Sequence, residues 1–260
     1  MRPLRVLFDS FSDDPALDTA VSGATMRRVA AGELPETLRL ARPGRVVAFA
    51  KRDVLSPGYA EAVAAARAAG FGSVVRLAGG RAAVFHKGTL ELAHAVPDPD
   101  ARTGIRPRFE STAELVARAL RRLGVDARVG EVPGEYCPGR WSVNAAGVRK
   151  LAGIGQRVIS GGAHVGTVIV ADDAASVRAV LEPVYRALSL DWDPATVGAV
   201  EHPWADVRDA VLAEYAERFE LVEDVLDAET LALARALANS SDQGRSEASA
   251  GPGSGEYHRK

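Results

Sequence analysis

The chain has 260 residues, 47% of them hydrophobic and 25% charged, a balance that excludes the disordered and fibrous classes. A formal net charge of −2 excludes a sequence-independent grip on nucleic acid, which needs concentrated basic charge. No apolar run approaches the roughly 20 residues that span a bilayer, the start MRPLRVLFDS lacks the apolar stretch of a secretory signal, and one cysteine allows no internal disulfide framework. The expectation is a cytoplasmic protein with no nucleic-acid or membrane partner.

In chain order, the opening residues read as a short strand followed by a helix. Asp13 and Asp14 put acidic groups at the helix start, and Pro15 sits in its first turn. TLRLARPGRVVAFAKR reads as two extended runs around a Pro43-Gly44 turn. Pro57 opens a helix closed by Gly70 or Gly72, and strands follow at 73–77, 82–86 and 89–95. Ser111 with Glu114 three residues later predicts a capping box for a helix ending at Gly124. Four successive strands follow: VDARVGEV, RWSVNAAG, KLAGIGQRVIS and HVGTVIVA. Beyond Asp172 the pattern is helical, in SVRAVLEPVYRALSL, WADVRDAVLAEYAERF and DAETLALARALAN. Strands and helices mix without regular alternation, which predicts an α+β fold with a mixed, mostly antiparallel sheet. Residues 1–240 are expected to form one domain, helical from about 174, and the Gly/Ser-rich residues 241–260 a disordered tail.

Two segments carry a resemblance. Arg76-Leu-Ala-Gly-Gly-Arg-Ala-Ala-Val-Phe-His86 resembles the RRxxGGxAVxH loop and strand of the lipoate ligase, lipoyl transferase and biotin ligase superfamily. Val148-Arg-Lys-Leu-Ala-Gly-Ile-Gly-Gln-Arg157, followed by the strand from His164, resembles that family's lysine strand and its downstream HG strand. The likeness covers roughly residues 3 to 220 in the expected order. It implies a biotin/lipoyl ligase-like catalytic domain that attaches an octanoyl or lipoyl group to a lysine. The implied carriers are lipoyl domains of 2-oxoacid dehydrogenases or the glycine cleavage H protein.

The chemistry fits the residues. An octanoyl chain is a thin apolar rod ending in a carbonyl. Gly79 and Gly80 let the backbone approach it closely, and Lys150 offers an ammonium to the carbonyl oxygen as charge develops there. By the same resemblance Arg76, Arg81, His86, Gly153 and His164 are candidate substrate-binding residues. The family holds two chemistries. ATP-dependent ligases usually carry three consecutive glycines, whereas the third position here is Arg81. That form is closer to the cysteine-dependent octanoyltransferases, and the only cysteine, Cys137, lies in GEYCPGRWSV upstream of Lys150.

A thiolate attacking an acyl carbonyl forms an acyl-enzyme and passes the group to an amine. Arg140, Lys150 and Arg81 are candidates for lowering its pKa. The leading expectation is octanoyl transfer from acyl carrier protein through Cys137 with no cofactor. Two alternatives stay open: an ATP- and Mg-dependent lipoate ligase, and a non-catalytic acyl- or carrier-binding protein with Cys137 a structural residue. His94, His202 and His258 receive no role, and no metal-ligand spacing is present. Asp172-Asp173 reads as a turn. Arg118, Arg121 and Arg122 on one helix form a solvated face or a surface that steers an acidic carrier.

Overall fold

A computed structural model describes residues 1–249, with side-chain environments through residue 239. Strand β1 (Arg2–Leu7) buries Leu4, Val6 and Leu7 and leads into helix α1 (Pro15–Ala30). The Asp14 carboxylate caps that helix by accepting the amide of Leu17 at 3.0 Å, with Pro15 following where its missing N–H costs nothing. Strands β2 (Thr37–Ala41) and β3 (Val46–Phe49) flank the Pro43-Gly44 turn, but they lie in different sheets. A single turn of helix α2 (Lys51–Val54) precedes α3 (Tyr59–Ala68), β4 (Gly72–Val75), β5 (Ala83–Phe85) and β6 (Thr89–Pro97).

Helix α4 (Ile105–Arg122) begins more than a turn before the expected capping box. Pro107 is tolerated in its first turn, and the Arg108 guanidinium ties that turn to Asp98 (2.5 Å) and Gln156 (2.9 Å). Ser111 is therefore interior to the helix, and its hydroxyl donates to the carbonyl of Arg108 rather than capping. Then come β7 (Ala127–Val129), β8 (Val143–Ala145), β9 (Arg149–Ile159), β10 (Gly162–Val170), α5 (Ala174–Ala187) and α6 (Trp204–Ala216).

The sequence expectation lacked β11 (Phe219–Glu223), which pairs parallel with β1 at the sheet edge. The last helix, α7 (Ala228–Ser249), packs Ala234 and Ala238 with Leu17, Ala20, Val21 and Ala24 of α1. The expected tail from 241 begins inside this helix, and residues 250–260 lie outside the described residues.

The large sheet runs β11-β1-β2-β6-β10-β9-β8-β7. It is parallel at β11-β1-β2 and antiparallel from β2 onward. Alternation along β2 and β6 sends Leu38, Leu40, Leu90 and Leu92 into the core with α4 and α6. Arg39 and Glu91 consequently face the opposite side, toward α1. A small sheet, β4-β3-β5, packs with α3 and α5 around Phe49, Val84 and Leu181. Most of the candidate site residues collect where the two sheets meet.

Candidate active site

Two loops and one strand build the site. The turn from Arg76 to Ala82 joins β4 to β5, the loop 130–142 joins β7 to β8, and β9 lies beneath both. Cys137 sits in the second loop in the left-handed region, at φ 43. Its backbone N–H donates to the Tyr185 hydroxyl (2.8 Å), which donates in turn to the carbonyl of Ala82 (2.9 Å). One phenol from α5 thus clamps the cysteine loop to the glycine loop.

The sulfur lies against the glycine loop. Cys137 Sγ accepts the backbone N–H of Arg81 at 3.1 Å and Arg76 Nη2 at 3.4 Å. Burial pushes the thiol pKa up, but Arg76, Lys150 and the Arg81 amide together outweigh it and hold the thiol below its ordinary value. Gly80 is required here for two reasons. Its φ is +106, and a Cβ built on it would lie 2.8 Å from the Cys137 sulfur as well as against Arg76. A Cβ on Gly79 meets nothing within 4 Å.

Lys150, only 1% exposed, extends from β9 beneath the cysteine loop. Its ammonium donates to Glu135 Oε1 (2.9 Å), Tyr136 O (3.0 Å) and Cys137 O (2.8 Å). Glu135 is fully buried and also accepts the Ser142 hydroxyl and the amides of Val132 and Gly139. All three Lys150 protons are therefore committed to the loop that carries the cysteine. In this state none is aimed at a substrate oxygen.

A groove of about 680 Å³ opens over these residues, lined by Cys137, Trp141, Lys150, Gly80, Gly153 and Gly155 among others. That volume is in the range of small-ligand sites. Beyond Arg76, Leu77, Ala78, Gly153 and Val168, which line both spaces, lies a narrow cavity of about 70 Å³ under α1. His164, Gly166, Glu91 and Asp18 lie on its walls.

The structure thus gathers Cys137, Lys150, Arg76, Gly79, Gly80 and Gly153 around one groove, with His164 in the cavity behind it. The Arg81 guanidinium turns away to the buried Asp53 (3.1 Å), so its backbone amide faces the sulfur instead. His86 is elsewhere. It lines a separate cavity with Asp172, His202 and Trp204, and its Nδ1 accepts the Gly88 amide at 3.1 Å.

Arg140 stacks on its neighbour Trp141 and is not among the groups that lower the thiol pKa. The arginines of α4 are largely engaged within the fold. Arg118 and Arg122 both bind Glu214 of α6, and Arg121 pairs with Glu114. Asp173 caps α5, accepting the Ser176 amide at 3.1 Å. Among the described residues no group of three or more His, Cys, Asp or Glu is placed to hold a metal, and no helix is long and apolar enough to cross a membrane. Sequence reasoning missed Glu135, Tyr185 and Asp53. Glu135 lies two residues before the cysteine, but Tyr185 and Asp53 carry no local signal.

The site therefore combines a loop-borne thiol with a buried lysine at the junction of the two sheets. The chain belongs to the lipoyl protein ligase A/B catalytic domain family, whose profile matches residues 14–190. It is 30% identical over 222 residues to an octanoyl-[GcvH]:protein N-octanoyltransferase of Bacillus velezensis, covering 84% of this chain and 76% of that protein. It is 32% identical over 178 residues to the like-named protein of Geobacillus kaustophilus, covering 67% of this chain and 60% of that one. Its fold matches a bi-partite lipoate protein ligase from Thermoplasma acidophilum with a TM-score of 0.74 at 21% identity, covering 92% of this chain and 93% of that one.

Proposed function

We propose that this chain is a cytoplasmic, cofactor-independent octanoyltransferase that works through a Cys137 thioester. The observation that carries the reading is the setting of the sulfur. A single thiol faces a substrate-sized groove with an amide N–H and a guanidinium both donating to it.

The names of the relatives point to octanoyl-GcvH as donor and a protein as acceptor; the acceptor we propose is the lipoyl-domain lysine that the sequence resemblance implies. The Cys137 thiolate attacks the octanoyl carbonyl, the C–N bond of the donor amide breaks, and the released lysine amine leaves with a proton from solvent. The acceptor lysine, as free amine, then attacks the thioester. A new amide forms, the C–S bond breaks, and one amine proton returns to solvent. One amide is exchanged for another, so the sum needs no ATP. Arg76 and the Arg81 amide stabilise the thiolate, first as nucleophile and later as leaving group. Lys150 is a positioning residue that fixes residues 135–137 and adds positive charge near the sulfur.

Acyl carrier protein is the donor expected from the sequence, and a thioester donor would use the same two steps with a C–S bond broken first. Incubating the protein with octanoyl-GcvH or octanoyl-acyl carrier protein, each with a lipoyl domain and without ATP, separates the two. Transfer from GcvH that is lost in Cys137→Ala supports the reading. Transfer that needs ATP and survives Cys137→Ala contradicts it.

A further inference from the structure

The cavity behind the groove is not uniformly apolar. Gly153, Val168 and Glu91 are successive cross-strand partners on β9, β10 and β6. At about 4.8 Å per strand, Glu91 lies roughly 10 Å from Gly153 across the sheet. Four residues back along β10 from Val168, His164 shares the same face. Its imidazole leans over Gly166, since a Cβ built there would lie 2.8 Å from Nε2. The residue is 6% exposed, and its ring lines the cavity and makes no hydrogen bond among the described residues.

The surrounding charges are otherwise engaged. Asp18 pairs with Arg39 and accepts the amide of Phe11, and Arg39 also reaches the carbonyl of Asp9. Glu91 comes no closer than 4.0 Å to Arg39 and is hydrogen-bonded to the Asp18 carboxyl. Burial, with Asp18 also contributing, pushes Glu91 up to about 8, and burial first, then His94 and Arg39, lowers His164 to about 4. Burial thus favours the uncharged form of both groups, and a neutral imidazole can donate one hydrogen bond and accept another. A cavity meant only for a terminal methyl has no use for an unpartnered buried imidazole.

We propose that this inner end is a polar subsite that receives an uncharged hydrogen-bonding group, a hydroxyl or thiol, on the distal carbon of the acyl chain. The inference rests on the acyl-transfer reading for the chain's orientation, with its carbonyl at Cys137 and its tail at His164. An ω-methyl chain fits the same space, while an ω-carboxylate would bring an unpaired charge to Glu91 and Asp18.

Calorimetric binding of octanoate, 8-hydroxyoctanoate and octanedioate to the full chain tests this without turnover. The expected result is that 8-hydroxyoctanoate binds at least as tightly as octanoate, with octanedioate weaker than both. His164→Leu reverses the order, so that octanoate binds about tenfold or more tighter than the hydroxy acid. Glu91→Gln, which stays uncharged and hydrogen-bonding, keeps the wild-type order. If octanoate outbinds the hydroxy acid about tenfold in the wild type, if neither acid binds, or if His164→Leu leaves the ratio unchanged, the subsite is wrong. The wild-type ratio decides the matter even if His164→Leu does not fold. A protein that binds both acids but never forms a Cys137 acyl-enzyme would instead sink the transfer mechanism.

Discussion

Lys150 donates its third proton to the carbonyl of Cys137 at 2.8 Å, so the lysine and the cysteine are joined through the backbone rather than through the sulfur. The lysine strand and the cysteine loop act as one unit, with Glu135 as the buried counter-charge. Lys150→Met leaves that carboxylate unpaired and should cost about 3–5 kcal/mol in denaturant unfolding. Lys150→Met combined with Glu135→Gln should recover part of the stability but not the reactivity of the thiol. Full recovery of both in the double variant would contradict the electrostatic role of Lys150.

The thiol's reactivity has its own test. Its pKa lies below the ordinary value because Arg76, Lys150 and the Arg81 amide outweigh the effect of burial. A lowered thiol pKa means that thiolate persists to lower pH, so wild-type alkylation by iodoacetamide should reach its half-maximal rate below the pH of a free cysteine. Arg76→Leu removes the donor at 3.4 Å, and its alkylation profile should move to higher pH. An unmoved profile would show that the guanidinium does not set the thiolate.

The two glycines of the loop should respond unequally. Gly80→Ala places a Cβ against the sulfur at a φ of +106, so acyl-enzyme formation should fall about 100-fold, with a stability loss of about 1–3 kcal/mol. Gly79→Ala meets open space and should do much less to either quantity. Equal effects at the two positions, measured by single-turnover acylation and thermal melting, would remove the steric argument for Gly80.

These contrasts also mark what the sequence could and could not reveal. Arg76, Gly80 and Lys150 were legible because each lies in a short motif, where the turn or strand around it is set by its neighbours, and Cys137 stood out as the only cysteine, in a Gly/Pro-rich loop just upstream of the lysine strand. His86 shared a motif with them yet faces a different cavity, because β5 ends at Phe85 and the next residues turn back through the Thr89 hydroxyl. Tyr185 lies 48 residues beyond the cysteine, and only the packing of α5 on the small sheet brings its hydroxyl there. The fold divides in the same way. The run of strands from 127 to 170 was readable from local alternation and turns. The edge strand β11 received no element apart from Phe219 at the end of the expected helix, since its existence depends on pairing with β1 at the far end of the chain.

The inner cavity predicts a pH signature in stability. Glu91 is raised from 4.5 to about 8, so the folded protein holds a proton that the unfolded chain has already released. Its contribution is complete below about pH 4.5 and is lost as pH rises toward 8. Glu91→Gln carries no such titration. The variant's Tm relative to wild type should therefore rise between pH 5 and pH 8 and level off above (steps of about one unit suffice). A constant difference across that range would show that Glu91 is ionised in the folded state.

The most direct test of the central claim is intact mass spectrometry after incubation with octanoyl-GcvH in the absence of ATP. The account predicts one added octanoyl group, removed by hydroxylamine and absent in Cys137→Ala. Octanoyl transfer to a lipoyl domain by Cys137→Ala at the wild-type rate would contradict it.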